Sequence, residues 1–503
     1  MKFLKNPFFI GISFFGLFTL LAFLKFIPLF RDSHIKTTFL TDHEGGKELW
    51  MTVFVHGTFH AGLTFLSYNS VSKDKLSASR YQYIMRKIRR DPIFYQNQPI
   101  LDLGLIQVTP SLTLSDTTTT PFSAYPIIQT YAEILEQVAP GKEKNQFYTF
   151  GWPGLISKAS RQRQALYLYN ALCRELERYK TKGIKPHIRL ITFSHGGNVA
   201  LGMGAIHTIL TNVKTERFAS QDCKESIASM EKILSNVKKR KDTTNPYAHT
   251  PITNDLCIDE LVLLAVPIQP ETDFFCHCSL FKKIYSFYSD EDGIQSVDWV
   301  SSKQPYAAQR INTVLTHQKY LTQNKPGIII QARIMIDRNL AEQTVTTSKI
   351  TEERKTYESV ENAPWWKRLL YRGNLIQKKS ADPTHREFWF TYWDRQGALA
   401  FLNPFPVAVL TPFLIATLQK LPQIIDADLN LVYKPESMLC QLTKHNNSEI
   451  LRQNNIPPLI LNRAQKKMND WRPASTLKPR QFEIAKKYLQ EFDEKITTSS
   501  FNT

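Results

Sequence analysis

The stretch "LITFSHGGNVALGMG", Leu190–Gly204, changes character at one residue. Leu190 and Ile191 close an apolar run of the kind that forms a buried strand, and Asn198 to Met203 open a helical pattern. Ser194 stands at the corner between them, followed by His195, Gly196 and Gly197. A serine there is either an ordinary turn residue or a nucleophile raised above a sheet. What the rest of the chain supplies decides between the two.

Outward from this corner, apolar runs alternate with helical patterns, which predicts a sheet built from crossover units. "LWMTVFVHGT" (Leu49–Thr58) and "NQFYTFGWPG" (Asn145–Gly154) read as strands ending in turns. Ala165, Tyr169, Leu172, Leu176 and Tyr179 recur at three- and four-residue spacing, so Ser160–Tyr179 reads as an amphipathic helix. Further strands are expected at Asp259–Ile268, Phe281–Ser289 and Gly327–Asp337. The fold class is therefore α/β: a mostly parallel, doubly wound sheet with helices on both faces, occupying residues 45–421. Three polar stretches, about 59–127, 211–253 and 338–382, read as insertions of the length that usually serves as a cover or a mobile segment. Phe401–Leu421 carries Pro404, Pro406 and Pro412 and reads as a buried, broken helix rather than a membrane segment. Residues 422–503 read as a polar, mixed-charge helical extension.

The 503 residues carry a formal net charge of +18, with 42% apolar and 12% aromatic content. Acidic residues are interleaved with the basic ones, so the charge belongs to a folded protein and not to a basic tail. Zinc-finger spacing, RNP-like aromatics and a heptad-linked basic region are all missing, which argues against a nucleic-acid partner. An anionic lipid surface fits the charge better, because Pro7 to Leu24 is uncharged and would span about 27 Å as a helix, close to a bilayer's hydrocarbon core. Residues 1–31 are accordingly expected to be a single-pass membrane anchor, with a cleaved signal peptide and secretion as the alternative. Lys2 and Lys5 before the span balance Lys25 and Arg31 after it, so its orientation is undecided. Arg80–Arg90 sets Tyr81, Ile84, Met85 and Ile88 against Arg86, Lys87, Arg89 and Arg90, a pattern shared by membrane-surface helices and by helices packed on a domain with a solvated face.

A serine hydroxyl becomes a useful nucleophile only when a base takes its proton and fixed donors receive the oxyanion. Thr192 and Gly196 are small where a sharp strand-to-helix turn brings backbones together, and Gly197 lets the helix start close to the strand. The helix N-terminus directs partial positive charge at Ser194. Cys276-His277-Cys278 has the look of a metal cluster but lacks a second ligand pair at metal-site spacing, so no metal is expected there, and a serine activated by a base and fixed donors requires no organic cofactor.

This corner resembles the nucleophile elbow of the α/β-hydrolase superfamily, and "SHGGN" is similar to what many lipase-like members carry. Thr192 departs from that pattern, standing where glycine is most common. "VFVHGTF" (Val53–Phe59), with His56-Gly57, resembles the superfamily's oxyanion loop. The resemblance implies backbone N–H donors at Thr58 and His195, then an acid after the nucleophile and a base last. "YSFYSDEDGIQ" offers Asp292, in an Asp-Gly-Ile turn similar to the superfamily's, ahead of Asp290, with Asp273 one strand earlier as the outsider. His385 in "SADPTHREFW" is expected as the base, with His317 as its rival. The implied activity is that of a lipase- or esterase-like serine hydrolase: Ser194 attacks an acyl carbonyl, His385 relays the proton, Asp292 holds the imidazole, and water resolves the acyl-enzyme. Two alternatives stay open: a thioesterase or acyltransferase on the same scaffold, and a catalytically silent, membrane-tethered binding module.

Overall fold

The computed structural model describes residues 48–57, 104–108, 125–141, 143–152, 154, 158–212, 220–239, 253–290, 292, 310–311, 328–336, 383, 385–389, 406–419, 428–434, 439–444, 450–455, 487, 490, 491 and 494. The expected membrane span and the basic stretch 80–90 lie outside these residues. No helix among the described residues is long and apolar enough to cross a membrane.

The strands are β1 (Glu48–Val55), β2 (Gly104–Val108), β3 (Glu143–Gly151), β4 (His187–Phe193), β5 (Glu260–Leu264), β6 (Lys283–Tyr288), β7 (Ile328–Ile336), β8 (Asp428–Lys434), β9 (Leu439–Lys444) and β10 (Ile450–Asn455). They form one ten-stranded sheet in the order β10-β9-β8-β7-β6-β5-β4-β1-β3-β2. Pairing is parallel from β3 through β8 and antiparallel at both edges. The mixed α/β architecture with a mostly parallel sheet is thus the one the alternation of apolar runs predicts.

Parallel strands must be covered on both faces, so their sequences are apolar almost throughout; every residue of β5, "ELVLL", is buried. Alternate side chains serve opposite layers. Phe54, Ile191, Phe193, Val262, Leu264, Tyr285 and Phe287 pack under helices α1 (Tyr125–Val138) and α6 (Val407–Gln419). Val53, Val55, Leu190, Leu261, Leu263 and Ile284 pack under α2 (Lys158–Lys180), α3 (His195–Leu210) and α4 (Gln221–Lys239). Helix α3 is buried nearly all round, as expected of a helix held between the sheet and two further helices.

Three expectations need correction. The stretch 211–253 is not simply a polar insertion, because α4 lies within it and buries Cys223, Met230 and Leu234. Likewise β2 lies inside 59–127 as an antiparallel edge strand. The sheet also continues past Leu421: β8 pairs with β7 in parallel and β9 and β10 follow, so the segment read as a helical extension opens with strands. The proline-punctuated run does form a buried helix, α6, which continues through Pro412. Proline cannot donate to the carbonyl of Ala408, and the Thr411 hydroxyl donates to that oxygen instead, at 2.8 Å.

After β1 the chain builds β3 on one side of it and then β4 on the other, so the winding direction reverses between β1 and β4. Ligands of open α/β sheets bind outside the carboxyl ends of strands at such a reversal. His56-Gly57 follows β1, and Ser194 follows β4.

Candidate active site

Ser194 is the first residue beyond β4 and precedes the first turn of α3, with φ 51° and ψ −135°. An N-cap serine ordinarily has extended backbone and bonds the helix N–H groups through its hydroxyl. Ser194 does neither, since its side chain makes no capping bond. Its backbone conformation is costly for any residue with a Cβ, and such strain persists only where the surroundings impose it. Here the Ser194 N–H donates to the Leu264 carbonyl at 3.0 Å, and the Ser194 carbonyl accepts from the Gly197 N–H at 2.9 Å. Thr192 is fully buried, and its hydroxyl donates to the Val262 carbonyl at 2.8 Å, which accounts for a threonine at a position where only a small group fits.

The neighbouring glycines are dictated by distance. A Cβ on Gly196 would lie 2.3 Å from the His56 carbonyl oxygen and 2.8 Å from that of Val55. On Gly57 it would lie 2.6 Å from the Ser194 Cβ, and on Gly197 2.3 Å from the Val266 Cγ2. The elbow and the loop after β1 therefore touch backbone to backbone. Thr58 lies outside the described residues. The N–H of His195, at the first position of α3, belongs to those that no intrahelical carbonyl can satisfy.

His56 is buried and bonded at both ring nitrogens. Its Nδ1 lies 2.7 Å from the Gly57 carbonyl oxygen, and its Nε2 accepts the Trp152 backbone N–H at 3.1 Å. The Trp152 indole N–H donates to the His56 carbonyl at 2.6 Å, and the two rings stack with centroids 5.7 Å apart.

His385 and Asp292, 93 residues apart, are brought together: Nδ1–H of His385 donates to Oδ2 of Asp292 at 2.8 Å. The Asp292 side chain is fully buried and that of His385 is 12% exposed. Asp290 instead pairs with Arg333 at 2.7 Å, its side chain 47% exposed. The two carboxylates left open by the sequence thus have different partners. Asp273 closes the short helix α5 (Pro270–Asp273), and His317 and Gly293 lie outside the described residues. His385 opens a single 3-10 turn, His385–Phe388, whose Phe388 and the following Trp389 are buried in the core beneath α6. Burying Phe388 alone contributes about 1.5–3 kcal/mol, enough to hold a short turn in place. Trp389 stacks on Phe193 at 5.5 Å, and the His385 ring lies 4.8 Å from the Phe193 ring, so the imidazole rests on the residue that precedes Ser194. Ser289, just after β6, ties the incoming chain by donating to the Pro383 carbonyl at 2.5 Å.

Sequence reasoning missed a second set of fixtures. Asn198 donates to the Pro267 carbonyl at 2.8 Å, has its amide nitrogen 3.3 Å from the His195 Nδ1, and accepts from the Thr272 hydroxyl at 2.8 Å. Beside it Arg161 and Glu271 form a buried ion pair at 3.2 Å. The segment after β5 is thereby bound to the first turns of α2 and α3. A polar residue one turn into an apolar helix was the available signal at Asn198; nothing local marked Glu271. At Cys276 and Cys278 burial pushes both thiols up, that of Cys278 to about 12, which makes them poor nucleophiles. Among the described residues no group of His, Cys, Asp or Glu side chains could hold a metal ion.

No family model matches the chain, and no curated protein matches it. Among solved structures, one described as the "putative cell surface hydrolase from Lactobacillus plantarum WCFS1" is 14% identical, with a TM-score of 0.20, over 66% of this chain and 99% of the other.

Proposed function

We propose that this chain is a serine hydrolase of the α/β-hydrolase kind that cleaves acyl esters through a covalent acyl-enzyme. Ser194 is the nucleophile, His385 the general base and acid, and Asp292 the carboxylate that orients it. The observation that carries this reading is the His385–Asp292 pair, closed over 93 residues and laid against Phe193, one residue before a serine in strained, uncapped backbone.

With Nδ1–H bonded to a carboxylate, Nε2 is the nitrogen left to take the Ser194 proton and return it to the leaving alcohol. Asp292 stabilises the imidazolium that forms. The tetrahedral oxyanion is received by the backbone N–H groups of His195 and Thr58, and the N-terminus of α3 adds its partial positive charge. Water then releases the acyl group, with no metal or organic cofactor in the scheme. A lipid ester is the substrate class that suits a membrane anchor at residues 1–31 and a net charge of +18.

Labelling of the detergent-solubilised protein with a fluorophosphonate probe tests the assignment. Wild type should label, and Ser194→Ala, His385→Ala and Asp292→Ala should each lose labelling while remaining folded. An unlabelled wild type in detergent overturns it.

A further inference from the structure

Among the described residues three that are not glycine have positive φ: Ser194, Asn212 and Ala265. Asn212 follows the C-cap of α3, where a left-handed asparagine is an ordinary way to end a helix. Ser194 is the elbow. Ala265, with φ 48°, is the first residue past β5 and has no such account. A left-handed backbone is costly for alanine and free for glycine. Both backbone bonds at this turn would survive a glycine: the Ala265 N–H donates to the Phe287 carbonyl at 2.9 Å, and the Leu264 carbonyl accepts the Ser194 N–H at 3.0 Å. What the strain retains is a methyl group.

Sheet order says what lies at that methyl. Phe193, Leu264 and Phe287 stand level on β4, β5 and β6, so Ala265 falls between Ser194, the next residue after β4, and the Asp292 turn beyond β6. Neighbouring strands are about 4.8 Å apart, so an imidazole bonded to Asp292 and serving Ser194 closes a gap of about 10 Å across the end of β5. Ala265 is the residue at that end. It is fully buried in the packed layer that holds Phe193, Phe287 and Trp389, and the His385 ring lies 4.8 Å from the Phe193 ring. We infer that Ala265 is a positioning residue: its methyl fills the floor between β4 and β6 over which the His385 imidazole reaches from Asp292 to Ser194. The left-handed backbone is the strain that keeps the methyl there. The inference rests on the serine hydrolase reading proposed above. Ala265 has no group that takes or gives a proton, so it acts only through His385. Glycine would leave a gap in the floor, and a longer side chain would take the place of the imidazole.

Three substitutions separate the methyl from the backbone that carries it. Ala265→Gly relieves the backbone and removes the methyl. Ala265→Ser keeps the Cβ and adds little, whereas Ala265→Asn suits a left-handed backbone but is much larger. Each is compared with wild type by urea denaturation and by kcat and KM on a soluble p-nitrophenyl ester, normalised to active sites titrated with a fluorophosphonate. Ala265→Gly should keep or raise the denaturation midpoint, because relief of strain offsets the lost burial. It should nevertheless lose about tenfold in kcat at similar KM, since about 1 Å of misplacement lowers rate about 10²-fold and one missing methyl permits less. Ala265→Asn should lose about 10²-fold, and Ala265→Ser should stay within about threefold of wild type. Proton NMR reads the same effect without turnover: the His385 Nδ1 proton bonded to Asp292 should be sharp in wild type and in the serine variant, and broadened by exchange with water in the glycine variant. A wild-type kcat and a sharp Nδ1 proton in Ala265→Gly, or a wild-type kcat in Ala265→Asn, would overturn the positioning role while leaving the hydrolase reading intact. If wild type fails to label, the hydrolase reading itself falls, and the positioning role with it.

Discussion

Substituting Gly196 by alanine probes the contact on which the site is built. The added methyl would sit 2.3 Å from the His56 oxygen, 2.8 Å from the Val55 oxygen and 2.9 Å from the His56 carbonyl carbon. These are backbone atoms at the end of a central strand, so no rotamer change relieves the clash. The first of them is about 1 Å short of ordinary contact, and the elbow and the loop after β1 must separate by roughly that amount. Overpacking of this kind costs about 1–3 kcal/mol. Its effect on catalysis should be larger in proportion, since about 1 Å of misplacement between reacting groups lowers rate about 10²-fold. Gly196→Ala should thus remain largely folded yet label about 10²-fold more slowly, with KM for a small ester little changed.

Gly197→Ala supplies the control within the same turn. The atoms its methyl would meet first all belong to the Val266 side chain, with Cγ2 at 2.3 Å and Cγ1 at 2.7 Å. Val266→Ala removes both atoms, so the double variant should recover part of the loss, with a coupling energy of about 1–3 kcal/mol in the cycle. No side-chain truncation should rescue Gly196→Ala. Wild-type labelling and an unshifted denaturation midpoint for Gly196→Ala would refute the claim that backbone contact between β1 and α3 shapes the site.

Ser194→Gly should move stability and activity in opposite directions: labelling vanishes while relief of the strained backbone raises stability by about 1 kcal/mol in urea denaturation, and an unchanged midpoint would remove the strain from the argument. Arg189 is buried between Glu260, at 2.6 Å, and Glu143, at 3.1 Å, near the starts of the strands and remote from Ser194. Arg189→Met leaves two carboxylates without their cation and should cost about 3–5 kcal/mol, while the protein that remains folded labels at the wild-type rate. Burial holds the His207 imidazole below its ordinary 6.5, so the unfolded chain takes up the proton first and stability falls as pH drops through 6.5 toward the folded value. His207→Gln should flatten the change in denaturation midpoint between about pH 7.5 and 5.5; an identical slope in both proteins would assign that change to other groups.

What was legible in the sequence is what local patterning encodes. Strands buried on both faces are near-continuous apolar runs, so β1, β3, β4, β5, β6 and β7 are readable without a partner in view. The edge of the sheet is less so. Among the described side chains of β8 and β9, Leu429, Leu431, Cys440 and Leu442 are buried, and the alternating polar residues hide that two-residue period in a segment of mixed charge. Helix α4 did carry a helical signal, since Cys223, Ile227, Met230 and Leu234 recur at three- and four-residue spacing and all pack on the core, but it is set among lysines and serines in a stretch that reads as polar overall. At the site, residue types and chain order pointed to Ser194, Asp292 and His385. The bonds that fix them, Ser289 to Pro383 and Trp389 against Phe193, join distant segments and leave no local trace.

The corner at Ser194 is constrained from three directions, and this bears on why its strain survives. From β5, the Leu264 and Val262 carbonyls take the Ser194 N–H and the Thr192 hydroxyl. From β1, the backbone of Val55 and His56 leaves no room for anything but glycine at 196. From the segment after β5, Pro267 and Thr272 bond the Asn198 side chain and Val266 packs on Gly197, fixing the first turn of α3. Strained conformations persist when the surrounding structure over-determines them, and each of these contacts would relax if the serine adopted ordinary cap geometry. An N-cap serine needs none of them, because its own hydroxyl would secure the helix at a gain of about 1 kcal/mol. A fold that forgoes that bond and keeps the hydroxyl out of the helix has arranged the corner for the side chain rather than the turn.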